Sequence, residues 1–409
     1  MSVLLELNGF VKSPNGVWAP KGERLDFNYS DGQKVEQKLA EVLSNASDLS
    51  SESRELNQQI VDWPTEYHLS SVRANLLRGL DLSGVKRVLE LGAGCGSITR
   101  YLAEQPDIEV DSVEGSDIRA SLAAMRCRDL SNVTIITANF NEIVFPEDYY
   151  DLVLFVGVTE YAGRFSSAKS DQESLQELLT MAHTTCKGDG VTFIAIENRT
   201  GVKYALGANE DHYGIPYIGI ENYPNSTGIR TYSKKEWRQQ VDSSAYSYCS
   251  FLYPFPDYKI PTLLISDAVL QSSENLEPYF EKIQSRDYLA DFHLEKESQL
   301  WKACHEAGVL GEVANSFLLL LSDQQQSIDK MLPNRVCEFD DPNIVKQYIN
   351  TASQNDSAKV VVSQHEHNLM RSRAEHLENQ LALLQGSRSW RLMHAVRSVL
   401  KIFGVKQRQ

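Results

Sequence analysis

The stretch Val88-Leu89-Glu90-Leu91-Gly92-Ala93-Gly94-Cys95-Gly96 decides the fold of this 409-residue chain. An apolar run carrying one carboxylate passes into a glycine-rich turn, and a helical pattern over residues 98–104 follows. A strand that enters such a loop and leaves as a helix puts the loop at the C-terminal edge of a sheet, where open α/β folds bind ligands. Glycine permits the tight turn and the close backbone approach that a ligand there requires.

The alternation continues outward. Strands at 86–91, 108–113, 133–137, 151–156 and 191–196 interleave with helices at 98–104, 118–126 and 174–183. Strands alternating with helices predict parallel βαβ units in a doubly wound α/β sheet of Rossmann-like type. A helix at 234–241 and a strand at 246–252 come next, and either 263–266 or 316–322 supplies the final strand. Residues 270–311 read as helical. Upstream, Leu4 to Phe10, the turn Pro14-Asn15-Gly16 and Val17-Trp18 read as a hairpin. A helix over 33–43 and a linker over 44–53 precede one helix at 67–80, whose Leu69, Val72, Leu76, Leu77 and Leu80 keep a helical period. These readings divide the chain into an N-terminal extension with a hairpin (1–60), a core (61–268) and a helical region (269–349) with a candidate last core strand at 316–322. A linker with a short coiled-coil-like helix (350–386) and a basic amphipathic tail (387–409) complete it.

Net charge is −15, from 55 Asp and Glu against 40 Lys and Arg, so nucleic acid is not expected as a partner. The 42% hydrophobic content and mean hydropathy of −0.34 are those of a globular protein with a full-sized core. The six cysteines form no CxxC pair, so no metal site or disulfide framework is expected, and a reducing cytoplasm fits. Met1 to Phe10 lacks the pattern of a signal peptide, and the apolar run Phe317 to Leu321 is far too short to span a bilayer.

Charge then selects the ligand of the glycine loop. A dinucleotide fingerprint calls for Gly or Ala where Ser97 stands. Glu90, two residues before the loop, repels a pyrophosphate and attracts a cation. Glu114, twenty residues after Gly94, is placed to accept both hydroxyls of a ribose. S-adenosylmethionine carries a ribose, an ammonium and a sulfonium but no phosphate, and it satisfies both carboxylates.

The segment from Glu90 to Gly96 resembles the first motif of class I S-adenosylmethionine-dependent methyltransferases. Over roughly 67–266 the chain resembles a bacterial subgroup encoded with surface-polysaccharide (O-antigen type) enzymes. The supporting segments are Glu66-Tyr67-His68-Leu69-Ser70, Val113-Glu114-Gly115-Ser116, Val156-Gly157-Val158-Thr159-Glu160-Tyr161-Ala162, Ala195-Ile196-Glu197-Asn198 and Tyr253-Pro254-Phe255-Pro256-Asp257-Tyr258-Lys259. The resemblance implies a seven-stranded sheet with a reversed last strand, and methylation of a surface glycan. It implies cofactor contacts at Glu90, Gly92, Ala93, Gly94, Gly96, Glu114, Gly115, Asn139 and Phe140. Relatives carry Asp where Asn139 stands, and Asn139 can still donate and accept hydrogen bonds.

Methyl transfer to a neutral hydroxyl needs alignment and a base within reach. Two loops at the cofactor edge offer one: Thr159-Glu160-Tyr161, and the long polar stretch from Glu197-Asn198-Arg199 to Glu210-Asp211-His212-Tyr213. An imidazole titrates near neutrality, so His212 is the favoured base, with Asp211 or Glu210 to orient it, and Glu160 is the second choice. Glu197, Asn198 and Tyr213 are the candidate acceptor contacts. His68 and His183 read as structural. Methylation of a small molecule or a protein, and a scaffold that recruits glycan enzymes without turnover, are the alternatives.

In the tail, Leu392, Val396, Val399, Leu400 and Phe403 share one helical arc, and residues 387–409 carry six basic groups and no acid. A basic amphipathic segment reads as a membrane-surface or partner-binding element. Ser387-Arg388-Ser389-Trp390-Arg391-Leu392 resembles a tail of bacterial glycosyltransferases and polysaccharide-modifying enzymes. The expected partners are a lipid-linked glycan acceptor, and through the tail a glycosyltransferase or the inner membrane face. Packing of the tail on a second copy, giving a homo-oligomer, is the competing expectation.

Overall fold

The computed structural model describes residues 2–21, 32–166, 170–224, 226–272, 274–281, 283, 285, 297–333 and 336–339. All lie in one compact unit, Met1–Asp340. The linker, coiled-coil-like helix and basic tail expected over 350–409 lie outside the described residues.

Its centre is a mixed sheet. Five parallel strands, β3 (Arg87–Leu91), β4 (Glu109–Glu114), β5 (Val133–Thr137), β6 (Tyr150–Val156) and β7 (Cys186–Glu197), stand in the order β5-β4-β3-β6-β7. Beyond β7 comes β10 (Ser316–Ser322), antiparallel to it, and then β8 (Tyr248–Phe255). The reversed strand is therefore inserted between two strands that precede it in sequence. Residues 263–266 form a strand as well, β9 (Leu263–Ser266), which lies outside β8. With β1 (Val11–Lys12), β2 (Trp18–Ala19) and β11 (Cys337–Glu338) the sheet has eleven described strands, where the resemblance implies seven.

Both faces of the sheet are covered, so the central strands read as apolar runs. Leu89, Leu91, Val153 and Phe155 face one core; Val88, Leu152, Leu154 and Ala195 face the other. The period of two puts Glu90 on the face of Val88.

Three elements differ from the sequence reading. Leu4 to Phe10 is not a strand: Val3–Asn8 is a helix, N-capped by Ser2 and closed by Gly9 in the left-handed region. Its neighbours Leu4 and Leu5 are both buried, which a strand with one solvated face would not allow. The hairpin is only β1 with β2. The helix expected at 67–80 is three pieces, Trp63–Leu69, Ser71–Ala74 and Asn75–Arg78, because Ser70 turns extended and caps the second. The stretch 44–53 is tied down: the Glu55 carboxylate accepts from the backbone of Ser47 and Asp48, and Ser51 donates to Glu104.

Helix Gln33–Asn45 packs Leu39, Val42 and Leu43 against Leu69, Leu122 and Cys95, and so braces the glycine loop. Gly96 starts helix Ser97–Ala103 at φ +76°, and a Cβ there would meet the Ala123 backbone at 2.8 Å. Any larger residue strains this turn twice over.

Candidate active site

A cavity of about 310 Å³ opens at the C-terminal edge of the parallel strands. Its cofactor side is the loop after β3 and the end of β4. Glu90 is buried; its Oε2 accepts from Ser112 Oγ at 2.8 Å and from Thr99 Oγ1 at 2.5 Å, and Oε1 is left to the cavity. Burial pushes its carboxyl up to about 7, against the pull of those two hydroxyls. Glu114 accepts the Gly94 N–H at 2.7 Å and the Ser116 N–H at 2.9 Å, and burial raises it too. Gly92, Ala93, Gly94, Gly115 and Phe140 line the same wall.

Asn139 does not line it. Its side chain caps the short turn Phe140–Glu142 and accepts from Asn141 N. Gly96 does not line it either; its part is the helix start.

The acceptor side gathers residues from four separate segments. Glu160 sits on the turn Thr159–Tyr161 after β6, Glu197 ends β7, and His212 lies in the long loop that follows. Tyr258 and Lys259 come from between β8 and β9. Gly157, at φ +67°, makes room: a Cβ would fall 2.7 Å from the Tyr258 hydroxyl. The His212 side chain is only 7% exposed. Its Nδ1 meets Glu210 Oε1 at 3.1 Å and its Nε2 meets Glu160 Oε1 at 3.3 Å, so both candidate bases belong to one relay.

That relay bears on which of the two takes a proton. Burial pulls the imidazolium down, but hydrogen bonds to Glu160 and Glu210 outweigh it and hold His212 well above its ordinary range. A histidine held by two carboxylates gives up and takes protons less readily than a free imidazole, which weakens it as a proton acceptor. Glu160, the second candidate, is raised by burial against the pull of His212. Glu210 orients the ring. Asp211 turns the other way, to Lys259 Nζ at 2.6 Å and Lys203 Nζ at 3.2 Å, and despite burial these cations hold it far below its usual range.

Of the expected acceptor contacts, Glu197 lines the cavity, while Asn198 and Tyr213 do not. Asn198 follows Glu197 and points away; its side chain donates to the carbonyls of Glu312 and Ala314. Tyr213 donates to the Ile229 carbonyl. His68, read as structural, lines the cavity, and His183 pairs with Asp323 elsewhere.

Trp63, Arg73 and Arg119 also line the cavity and have no signal in the sequence. Tyr258 and Lys259 fall in a segment that carries the resemblance, which implies no role for them. Arg73 links the two: its guanidinium lies 4.3 Å over the Tyr67 ring and donates to the Tyr258 and Lys259 carbonyls.

The five parallel strands, the reversed strand and the ligand edge define a class I methyltransferase fold. Residues 88–181 match the family model described as a methyltransferase domain, and the cofactor of that domain is S-adenosylmethionine. The cyclopropane-fatty-acyl-phospholipid synthase of Escherichia coli K12 is 32% identical over 84 residues, which cover 20% of this chain and 21% of that one. The chain thus spans about a fifth of the length of the curated relatives it matches. Among solved structures, the phosphoethanolamine N-methyltransferase 2 of Haemonchus contortus with S-adenosylhomocysteine aligns at 14% identity and a TM-score of 0.36, covering 62% of this chain and 52% of that one. A methyltransferase of Haloferax volcanii, in complex with its Trm112 activator, gives the same identity and score over 62% and 89%. Among the described residues no helix is long and apolar enough to cross a membrane.

Proposed function

We propose that this chain transfers the methyl group of S-adenosylmethionine to an oxygen of a sugar, or of a terminal phosphate, in a cell-surface glycan. The observation that carries the reading is that one cavity joins Glu90 and Glu114 to the acidic relay of Glu160 and His212. The cofactor fits the first pair. Glu90 keeps an oxygen for an ammonium, Glu114 a carboxylate for ribose hydroxyls, and no basic group stands in the loop 92–96 for a pyrophosphate. When bound, the cofactor supplies a methyl group activated by sulfonium.

The chain's own residues do the rest. Tyr67, Phe140 and Val158 wall the cavity and exclude water. Glu160 Oε2, buried and without a hydrogen-bond partner among the described residues, takes the acceptor's proton, while His212 fixes the other oxygen of that carboxylate. Glu197, held by Tyr258 and Lys259, positions the acceptor. The glycan assignment draws its support from the resemblance between 67 and 266. On its sequence, the tail 387–409 brings the enzyme to an anionic leaflet where a lipid-linked glycan is made; co-sedimentation with anionic liposomes, lost on deletion of the tail, tests this.

Two measurements test the whole reading. Calorimetry on the full chain should show binding of S-adenosylmethionine and S-adenosylhomocysteine but not of NAD. Mass and linkage analysis of surface glycan from cells with and without the protein should show one methyl group lost. Binding of NAD alone, or an unchanged glycan, rejects the corresponding half.

A further inference from the structure

We propose that Glu160, Glu197 and His212 form a divalent-cation site at the acceptor end of the cavity, suited to an ion such as Mn²⁺ or Zn²⁺. Ion binding does not depend on the proposed function; only the role given to the ion rests on that reading.

The three side chains come from the turn after β6, the end of β7 and the following loop, yet one ligand atom of each lies within 4.8 Å of the other two. The carboxylates are almost wholly buried, with Glu160 2% and Glu197 1% exposed. Among the described residues, Glu160 Oε2 and Glu197 Oε2 have no hydrogen-bond partner. A buried carboxylate oxygen without a partner is costly, and the one charge that His212 can carry is shared between Glu160 and Glu210, which leaves these two oxygens room for a further cation.

The groups behind these atoms are already in place. Glu210 Oε1 faces His212 Nδ1, and Glu210 is fixed by the backbone N–H groups of His212 and Tyr213, each at 2.9 Å, and by the Tyr223 hydroxyl at 3.2 Å. A carboxylate on the far nitrogen of a ligating histidine sets its tautomer and aims Nε2 at the metal. Glu197 Oε1 is held by the Tyr258 hydroxyl at 3.1 Å and Lys259 Nζ at 3.0 Å, which leaves Oε2 for an ion. Lys259 also serves Asp211, so it does not neutralise Glu197 alone.

Two carboxylates and one imidazole are a mixed oxygen and nitrogen set, which suits Mn²⁺ or Zn²⁺ better than an ion that prefers oxygen alone. Three protein ligands leave a position open for the acceptor oxygen. Binding the ion releases to solvent the proton held between His212 Nε2 and Glu160. With the ion on Glu160 Oε2, an acceptor hydroxyl on the ion becomes more acidic. Its proton passes to Glu160 Oε1, the oxygen that His212 Nε2 gives up on binding the ion and that here takes the part of Oε2. Its oxygen then bonds the methyl carbon as the carbon–sulfur bond breaks, with the electron pair going to sulfur.

The test uses the full chain, stripped with a chelator and titrated with Mn²⁺ alone and Zn²⁺ alone, by calorimetry and, for Mn²⁺, by electron paramagnetic resonance. One ion per chain is expected. Glu160→Gln, Glu197→Gln and His212→Gln should each weaken it by at least about 10-fold, and Glu210→Gln by about 10–100-fold. S-adenosylhomocysteine binding, within twofold of the parent in each variant, shows that the variants fold. No binding of either ion at millimolar concentration overturns the proposal. Equal binding by the triple variant Glu160→Gln, Glu197→Gln, His212→Gln overturns it too, by placing the ion elsewhere. A parent protein that binds the ion but not S-adenosylhomocysteine upholds the site and rejects the methyltransferase reading.

Discussion

The two ends of the cavity are built in opposite ways. The cofactor end is nearly contiguous: Glu90 to Gly96 on one strand-turn-helix unit, and Glu114 on the adjacent strand, whose carboxylate accepts the Gly94 N–H. Backbone shape and two carboxylates suffice there. The acceptor end draws Glu160, Glu197, His212 and Lys259 from separate elements and is held by side-chain charge. A ligand common to a whole fold can be met by local geometry. An acceptor particular to one protein needs a pocket assembled by tertiary packing.

The sharpest way to break this division is at Glu160. Glu160→Gln keeps the shape and removes the proton acceptor, so turnover should fall about 10²–10⁴-fold with cofactor affinity nearly unchanged. Steady-state kinetics beside calorimetry separates the two effects. A variant with full activity would move the proton to another group or to none.

Glu114 tests the other end. Glu114→Ala removes a charged partner of the Gly94 and Ser116 N–H groups, and cofactor binding should weaken by roughly 1–3 kcal/mol in calorimetry. Residual turnover at saturating cofactor should be close to the parent's. If kcat collapsed while affinity held, the two ends would not be separable.

The same division explains what could be read from the sequence. β3, its glycine loop and Glu114 were legible because an apolar run, a turn and a spacing of twenty residues are local signals. Glu160 and His212 were named from their loops, with Glu210 or Asp211 to orient the ring, but their mutual contact was not, since it joins segments fifty-two residues apart. Asn198 and Tyr213 were misplaced because polar residues in one loop look alike until strand alternation and packing turn them away. Leu4 to Phe10 was misread because the caps Ser2 and Gly9, not the apolar pattern, decide between helix and strand. Arg73 lies far in sequence from the Tyr258 and Lys259 carbonyls that it holds, and no local pattern announces it.

Glu90 sharpens the comparison through pH. Its carboxyl is pushed up to about 7 by burial, so it takes a proton as pH falls through that value and loses its attraction for an ammonium. Cofactor affinity should be highest above this pH and weaken by about 10-fold for each further unit below it. Calorimetry between pH 6 and 7.5 reads the slope, and Glu90→Gln should flatten it. A slope that survives in Glu90→Gln belongs to a different group.

The smallest effect is expected at Asn139. Family resemblance makes this position a cofactor contact, but here the side chain accepts from Asn141 N as the cap of the turn Phe140–Glu142 and stands off the cavity wall that Phe140 forms. Asn139→Ala should therefore cost stability through the lost cap, about 0.5–2 kcal/mol in denaturant melts. Cofactor affinity should move by about twofold at most, the range of a side chain that makes no contact with the ligand. Asn139→Asp separates the two roles, since Asp caps as well as Asn does and should restore stability. A tenfold loss of affinity in Asn139→Ala at unchanged stability would mean that the turn opens when the cofactor binds and that Asn139 joins the cofactor end of the cavity.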